Sequence, residues 1–201
     1  MKNAILNYSI NTIRKKDSSY SEEQLAVIRY GFESIYILIT KTIFIFMVAI
    51  ILGIFKEVLI FTLLYNMIRL TSFGLHATKS WMCWVSSTII FIILPYLCKI
   101  IDINMMIRSI IGVIAILAIY KNAPADTYKR PIVSEKRRNN LKFISTIIAI
   151  SMVFASLFID NIFMHNAILL SLVTECFMIS PSVYKLFKLP YNNYKAYLNM
   201  G

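Results

Sequence analysis

Residues Phe143 to Ile159 read FISTIIAISMVFASLFI, with no charged side chain among them. A helix of that length rises about 25 Å, close to the hydrocarbon thickness of a bilayer. In lipid a helix satisfies its own backbone hydrogen bonds, whereas an irregular apolar segment leaves them unmade. The stretch therefore reads as a transmembrane helix. Comparable runs lie at Phe32 to Ile54, Val58 to Leu70, Trp81 to Leu97, Met105 to Tyr120 and Ile162 to Ile179. These six candidate spans and their connections fill the 201 residues and leave no room for a separate soluble domain.

Composition agrees: 58% of the chain is hydrophobic and 15% charged, against about 25% charged in a soluble domain. A water-soluble globular enzyme is excluded, and so is intrinsic disorder. The expected fold class is all-α: a polytopic integral membrane protein with about six transmembrane helices and an N-terminal amphipathic interfacial helix. The first apolar run starts well inside the chain, behind a polar segment with acidic residues, so it does not read as a cleaved signal peptide. No matching pair of Gly- or Pro-broken helices in the two halves favours a secondary transporter.

The net charge of +11 could suggest a nucleic-acid partner, but the basic residues are distributed by topology. Seventeen Lys and Arg fall before the first span, at Arg69 and Lys79, between Lys121 and Lys142, and after the last span. The alternate connections hold three, Lys56, Lys99 and Arg108, and Lys41 lies within the first span. The positive-inside rule then puts both termini, the Arg69 to Lys79 connection and the basic 121–142 loop in the cytoplasm. The expected partner is the lipid bilayer, with no nucleic acid. Within residues 1–20, Leu6, Ile10 and Ile13 recur at helical spacing among Lys2, Arg14, Lys15 and Lys16, as in a helix lying on an anionic leaflet. Ser21, followed by Glu22, Glu23 and Gln24, is the expected N-cap of the next helix.

The cysteines are Cys83, Cys98 and Cys176, and the histidines His76 and His165. No Cys-x-x-Cys or His-x-x-x-His spacing supports a metal, and no cofactor is implied. Cys98 and Cys176 read as packing residues, and His165, at the outer start of the last helix, as a solvated interface residue. His76 and Cys83 share one short cytoplasmic connection. Along a continuous helix they would lie about 10.5 Å apart, beyond hydrogen-bond reach. The chain must turn between them if they cooperate, and Gly74 and Ser80 permit it, Ser80 as N-cap of a helix beginning at Trp81. Cys83 would then sit in the first turn, where the helix dipole and free amides favour a thiolate. With His76 folded back it becomes an activated nucleophile beside a general acid. The plainer alternative makes His76 an interfacial residue and Cys83 a core one.

The ordered set Arg29-Tyr30-Gly31-Phe32-Glu33, Arg69, Gly74-Leu75-His76-Ala77, Cys83 and Ala123-Pro124-Ala125-Asp126-Thr127-Tyr128-Lys129-Arg130-Pro131-Ile132 resembles the accessory gene regulator protein B (AgrB) peptidases of Gram-positive quorum sensing. The resemblance runs through most of the chain. Members of that family commonly carry two glycines ahead of the histidine, and here the first position is Phe73. The resemblance implies a single membrane peptidase domain over residues 1–201, six spans, and a cysteine endopeptidase in the bacterial cell membrane. Such an enzyme cuts an AgrD-like precursor peptide and helps cyclise it to a thiolactone or lactone. By position the catalytic pair falls on His76 and Cys83, with Arg69 and Gly74 in supporting roles.

Glu33, Asp126 and Glu175 are alternative carboxylates for orienting His76. For each, the plainer reading of a structural ion pair, with Lys41 or Arg69 as partner, stands ahead of that role. Lys129, Arg130, Lys136, Arg137 and Arg138 could dock the acidic tail of the precursor as well as set topology. The competing function class is a non-enzymatic membrane peptide exporter or export partner. The sequence is compatible with a homodimer.

Overall fold

The computed structural model describes residues 2–16, 20–75, 80–127 and 131–198. These belong to two compact units, residues 1–48 and 49–201.

In the first unit, α1 (Lys2–Lys16) precedes α2 (Glu22–Ile51). The polar stretch between them ends in a capping box. Ser21 Oγ accepts from the Gln24 amide at 3.2 Å, and Gln24 Oε1 accepts from the Ser21 amide at 2.9 Å. Two donors that a helix start leaves free are thus satisfied reciprocally, with Glu22 and Glu23 at the positive end of the dipole as expected. Lys2 pairs with Glu33 and Arg14 with Glu22, each at 2.6 Å. Pairing of the start of α1 with the later residue, and of its end with the earlier one, makes the two helices antiparallel. Leu6 and Ile10 are buried, at the positions the spacing marked, and Ile13 is half-buried.

The second unit begins with a reversal. α2 ends at Ile51, three residues short of the expected Ile54, because Gly53 takes φ 67°. The Gly53 amide donates to Ile50 at 3.0 Å and the Ile54 amide to Ala49 at 2.9 Å, a Schellman closure that satisfies the last carbonyls. α3 (Phe55–Ser72) follows, then α4 (Ser80–Thr88), a π-helical turn (Ile89–Ile93) and α5 (Leu94–Ile100). Pro95, with no N–H to donate and a ring that crowds the carbonyl four residues back, explains the widened turn. α6 (Met105–Asn122), α7 (Glu135–Phe158) and α8 (Ile162–Ile179) start at side-chain caps: Asn104, Ser134 and Asn161 accept from the amides three residues on. Two short helices, α9 (Pro181–Leu186) and α10 (Tyr194–Leu198), complete the chain.

Ser134 corrects the sequence reading of the basic segment. It caps α7 at Glu135, so only residues 123–134 connect the helices, and Lys136, Arg137, Arg138 and Lys142 stand on the first turns of α7 rather than in a loop.

α8 is the central element, packed by α3, α5, α6 and α7. Its Ala167, Ile168, Leu169, Ser171, Leu172 and Glu175 are all buried, which matches a helix apolar on every face. α6 and α7 approach closely at Gly112, where an added Cβ would stand 2.5 Å from Val153 Cγ1. Outward faces remain apolar: Ile107, Ile110, Ile114 and Leu117 of α6 and Phe143, Ile147, Ile150 and Phe154 of α7 are exposed at helical spacing. Such surfaces suit lipid, not water. α2, α6, α7 and α8 have the length and apolarity to cross a membrane. The molecule is an all-α membrane protein. Cys98 is fully buried and Cys176 half-buried, as expected of packing residues. His165 departs from expectation: it is only 3% exposed, with Nδ1 3.3 Å from the Ile159 carbonyl and Nε2 3.9 Å from Asp102 of the α5–α6 connection.

Candidate active site

His76 lies outside the described residues, as do Lys129 and Arg130. Cys83 is described through its backbone, as the fourth residue of α4 and in that helix's first turn. The geometry around the pair is therefore built from the chain that leads into it.

α3 ends in a turn that few residues could make. Phe73 has φ 60° and ψ −124°, and its amide donates to Arg69 at 3.1 Å. A non-glycine residue held there stores roughly 1–3 kcal/mol. This is the position at which the sequence departs from the two-glycine pattern. Gly74 follows at φ 105°. A Cβ on it would lie 2.4 Å from Arg69 Nη1 and 2.9 Å from the Met178 carbonyl, so glycine is required by space as well as by torsion.

Three elements then hold residues 73–75. From the α6–α7 connection, the Ala125 carbonyl accepts the Gly74 amide at 2.8 Å and the Ala125 amide donates to Ser72 at 2.9 Å, a short parallel bridge. From α8, the Met178 carbonyl accepts the Leu75 amide at 2.9 Å. Met178 is in the last turn, where carbonyls have no partner within the helix. From α3, Arg69 Nη2 donates to the Leu75 carbonyl at 2.6 Å.

Arg69 is itself fixed by Glu175. Its Nη1 lies 3.4 and 3.5 Å from the two carboxylate oxygens, and Ser72 Oγ donates to the same carboxylate. The Glu175 side chain is fully buried, and that of Arg69 is 16% exposed. An isolated carboxylate in such surroundings is prohibitively costly, so the guanidinium and the hydroxyl are what permit it. Glu175 is thus the structural ion pair with Arg69 that the sequence allowed.

Asp126, 3% exposed, is committed to backbone. Its oxygens accept the amides of Asn193 and Tyr194, each at 2.8 Å, and that of Ile132 at 3.4 Å. Tyr184 Oη donates to the Asp126 carbonyl at 3.1 Å. Burial raises the Tyr184 hydroxyl above the ordinary tyrosine range. Glu33 belongs to the other unit, where Lys2 holds it.

Of the basic candidates, Lys136 and Arg137 are exposed. Arg138 is half-buried and donates to the Ile132 and Val133 carbonyls at 2.9 and 2.6 Å, with its guanidinium 3.9 Å over the Tyr194 ring.

Ser72, Tyr184 and Asn193 were not singled out from the sequence. Ser72 carried a readable signal. Tyr65, Arg69 and Ser72 are spaced i, i+4 and i+7, which puts them on one face of α3, and all three meet Glu175. Tyr184 and Asn193 carried none.

The family model for accessory gene regulator B matches residues 6–179. An AgrB-like protein of Listeria innocua is 32% identical over 88% of this chain and 86% of its own length. One from Clostridium acetobutylicum is 31% identical over 85% of this chain and 82% of its own. The accessory gene regulator protein B of Staphylococcus aureus is 29% identical over 85% of this chain and 90% of its own. No solved structure matches. The motif residues from Arg69 to Asp126 lie inside the matched region, and the chain belongs to the accessory gene regulator B family.

Proposed function

We propose that this protein is a membrane cysteine endopeptidase that removes the C-terminal tail of an AgrD-like precursor and supports its closure to a thiolactone or lactone. The observation that carries this reading is the anchoring of residues 73–75 by Arg69, Ala125 and Met178 directly before His76. Membership in the family and the first-turn position of Cys83 support it as well.

The Cys83 thiolate attacks the carbonyl at the junction between signal segment and tail. First-turn amides of α4 donate to the oxyanion. As the carbon–nitrogen bond breaks, His76 gives its proton to the departing amine, and the signal segment remains on Cys83 as a thioester. A thiol or hydroxyl of the precursor then attacks that thioester, passing its proton to His76. Cys83 leaves as thiolate and the ring closes. Exchange of one thioester for another conserves the acyl activation, provided water is kept away. Glu175 acts on His76 at a distance, through Arg69 and the Leu75 carbonyl, and Asp126 through the adjoining Ala125.

The active site faces the cytoplasm with both termini on the same side, supported by the seventeen-to-three division of basic residues. Lys136 and Arg137, together with Lys129 and Arg130, hold an acidic precursor tail. Arg138 shapes the connection beside them.

His76→Ala and Cys83→Ala are each expected to abolish cleavage of a synthetic precursor by protein that still inserts in the membrane. The double variant should be little worse than either single one, because nucleophile and acid act as a unit. Robust cleavage by Cys83→Ala would exclude the covalent route.

A further inference from the structure

The chain beyond α8 takes no part in the chemistry above, yet its polar groups converge on the segment that holds Gly74. The Ala125 carbonyl accepts the Gly74 amide at 2.8 Å, and the one proton of the Tyr184 hydroxyl is shared between the carbonyls of Asp126 at 3.1 Å and Ala125 at 3.4 Å. Tyr184 is 1% exposed, and its ring stands edge-on to Tyr191 at 5.1 Å. The Tyr191 hydroxyl donates to the carbonyl of Asn122, the last residue of α6, at 3.3 Å. Asp126 collects the amides of Asn193 and Tyr194, and Asn193 Nδ2 returns a bond to the Asp126 carbonyl at 3.3 Å. Residues 122–126 are therefore bonded on one side to residues 72–74 and on the other to residues 184–194.

A buried hydroxyl and a buried carboxylate are costly unless bonded, and apolar residues would fill the same space without that cost. What the polar groups add is direction. They fix where the Ala125 carbonyl points, and that carbonyl receives the amide two residues before His76.

We propose that Tyr184 is a positioning residue, and that residues 181–194 form a clasp that sets residues 73–75, directly before His76, through the Ala125 carbonyl, with Asp126 holding the clasp closed. The inference rests on the reading of His76 and Cys83 as the reacting pair.

Tyr184→Phe keeps the ring and removes only the hydroxyl. With purified protein in lipid and a synthetic precursor, kcat for tail release should fall about 2- to 10-fold, the factor that one net hydrogen bond carries, with KM nearly unchanged. Amide exchange should accelerate at residues 73–75 while α7 and α8 keep wild-type protection. A variant that had only lost stability would instead exchange faster throughout those helices. Asp126→Ala should reproduce the kcat defect, and the double variant should lose less than the product of the two. Wild-type kcat with wild-type exchange at residues 73–75 in Tyr184→Phe overturns the inference. Should that variant not fold, unchanged kcat in Asp126→Ala does so. If wild-type protein releases the tail no faster than Cys83→Ala, it is the reaction reading itself that fails.

Discussion

The Arg69 guanidinium donates to the carbonyl of Leu75 at 2.6 Å, tying the last turn of α3 to the residue that precedes His76. The same group faces the buried Glu175 carboxylate. A planar fork can serve a carbonyl and a carboxylate at once, which a lysine ammonium on its flexible stem cannot do in the same geometry.

Arg69→Lys preserves the charge and loses the fork. Cleavage per inserted molecule is expected to drop about 10- to 100-fold, the range for a lost charge-assisted hydrogen bond. Initial rates normalised to membrane-inserted protein measure this, and a wild-type rate would show the Leu75 contact to be dispensable.

Removing one partner of the buried pair should differ from removing both. Glu175→Ala leaves a guanidinium facing apolar packing and is expected to lower stability by about 3–5 kcal/mol. The double replacement Arg69→Leu with Glu175→Leu should recover most of that stability while cleavage stays lost. Unfolding in detergent micelles, read beside activity, separates the two effects. Equal destabilisation in single and double variants would contradict the role given to the pair.

The two residues at the reversal should respond in opposite directions. Gly74→Ala forces a Cβ to within 2.4 Å of Arg69 Nη1 at φ 105° and should abolish cleavage. Phe73→Gly relieves the torsion at φ 60° and should keep activity. Parallel rate measurements on the two variants decide it, and an inactive Phe73→Gly protein would mean that the Phe73 side chain, half-buried here, is needed for more than the turn.

What could be read from the sequence and what could not follow from the range of the interactions. Apolar runs and caps are local, so the helices at Glu22, Met105 and Ile162 begin where Ser21 and the apolar runs marked them, whereas α7 begins at Glu135, eight residues before the expected Phe143, because its first turns are basic rather than apolar. Gly74 was read as a place where the chain can turn, but its supporting role and that of Arg69 came from a resemblance, and only the packing of α3 on α8 supplies their reasons, the Glu175 carboxylate and the Met178 carbonyl. Tyr184 and Asn193 act on Ala125 and Asp126 across more than fifty residues, and no spacing rule reaches that far. His165 was misread because a histidine at a helix start is ordinarily solvated, and here its ring lies between the Ile159 carbonyl and Asp102, a residue some sixty positions away.

The basic residues on α7 should separate by what they touch. Changing Lys136 and Arg137 to Gln is expected to raise KM for an acidic-tailed precursor and to leave acylation at saturation nearly intact. The effect should shrink at high salt, since exposed charges are screened over about 8–10 Å. Arg138→Gln, which loses bonds to Ile132 and Val133, should lower stability with a weaker dependence on salt. Unchanged KM across salt concentrations in the Lys136/Arg137 variant would leave those charges with a topological role alone.

The acyl-enzyme is the most direct test of the proposed chemistry. Purified protein in lipid, mixed with a synthetic precursor whose internal nucleophile is replaced by alanine, cannot close the ring and should accumulate the intermediate. Intact mass spectrometry should then show the protein enlarged by the signal segment, with the adduct on Cys83, released by hydroxylamine, and absent from both Cys83→Ala and His76→Ala. Tail release at the wild-type rate by Cys83→Ala, with no adduct on the wild-type protein, would contradict the central claim.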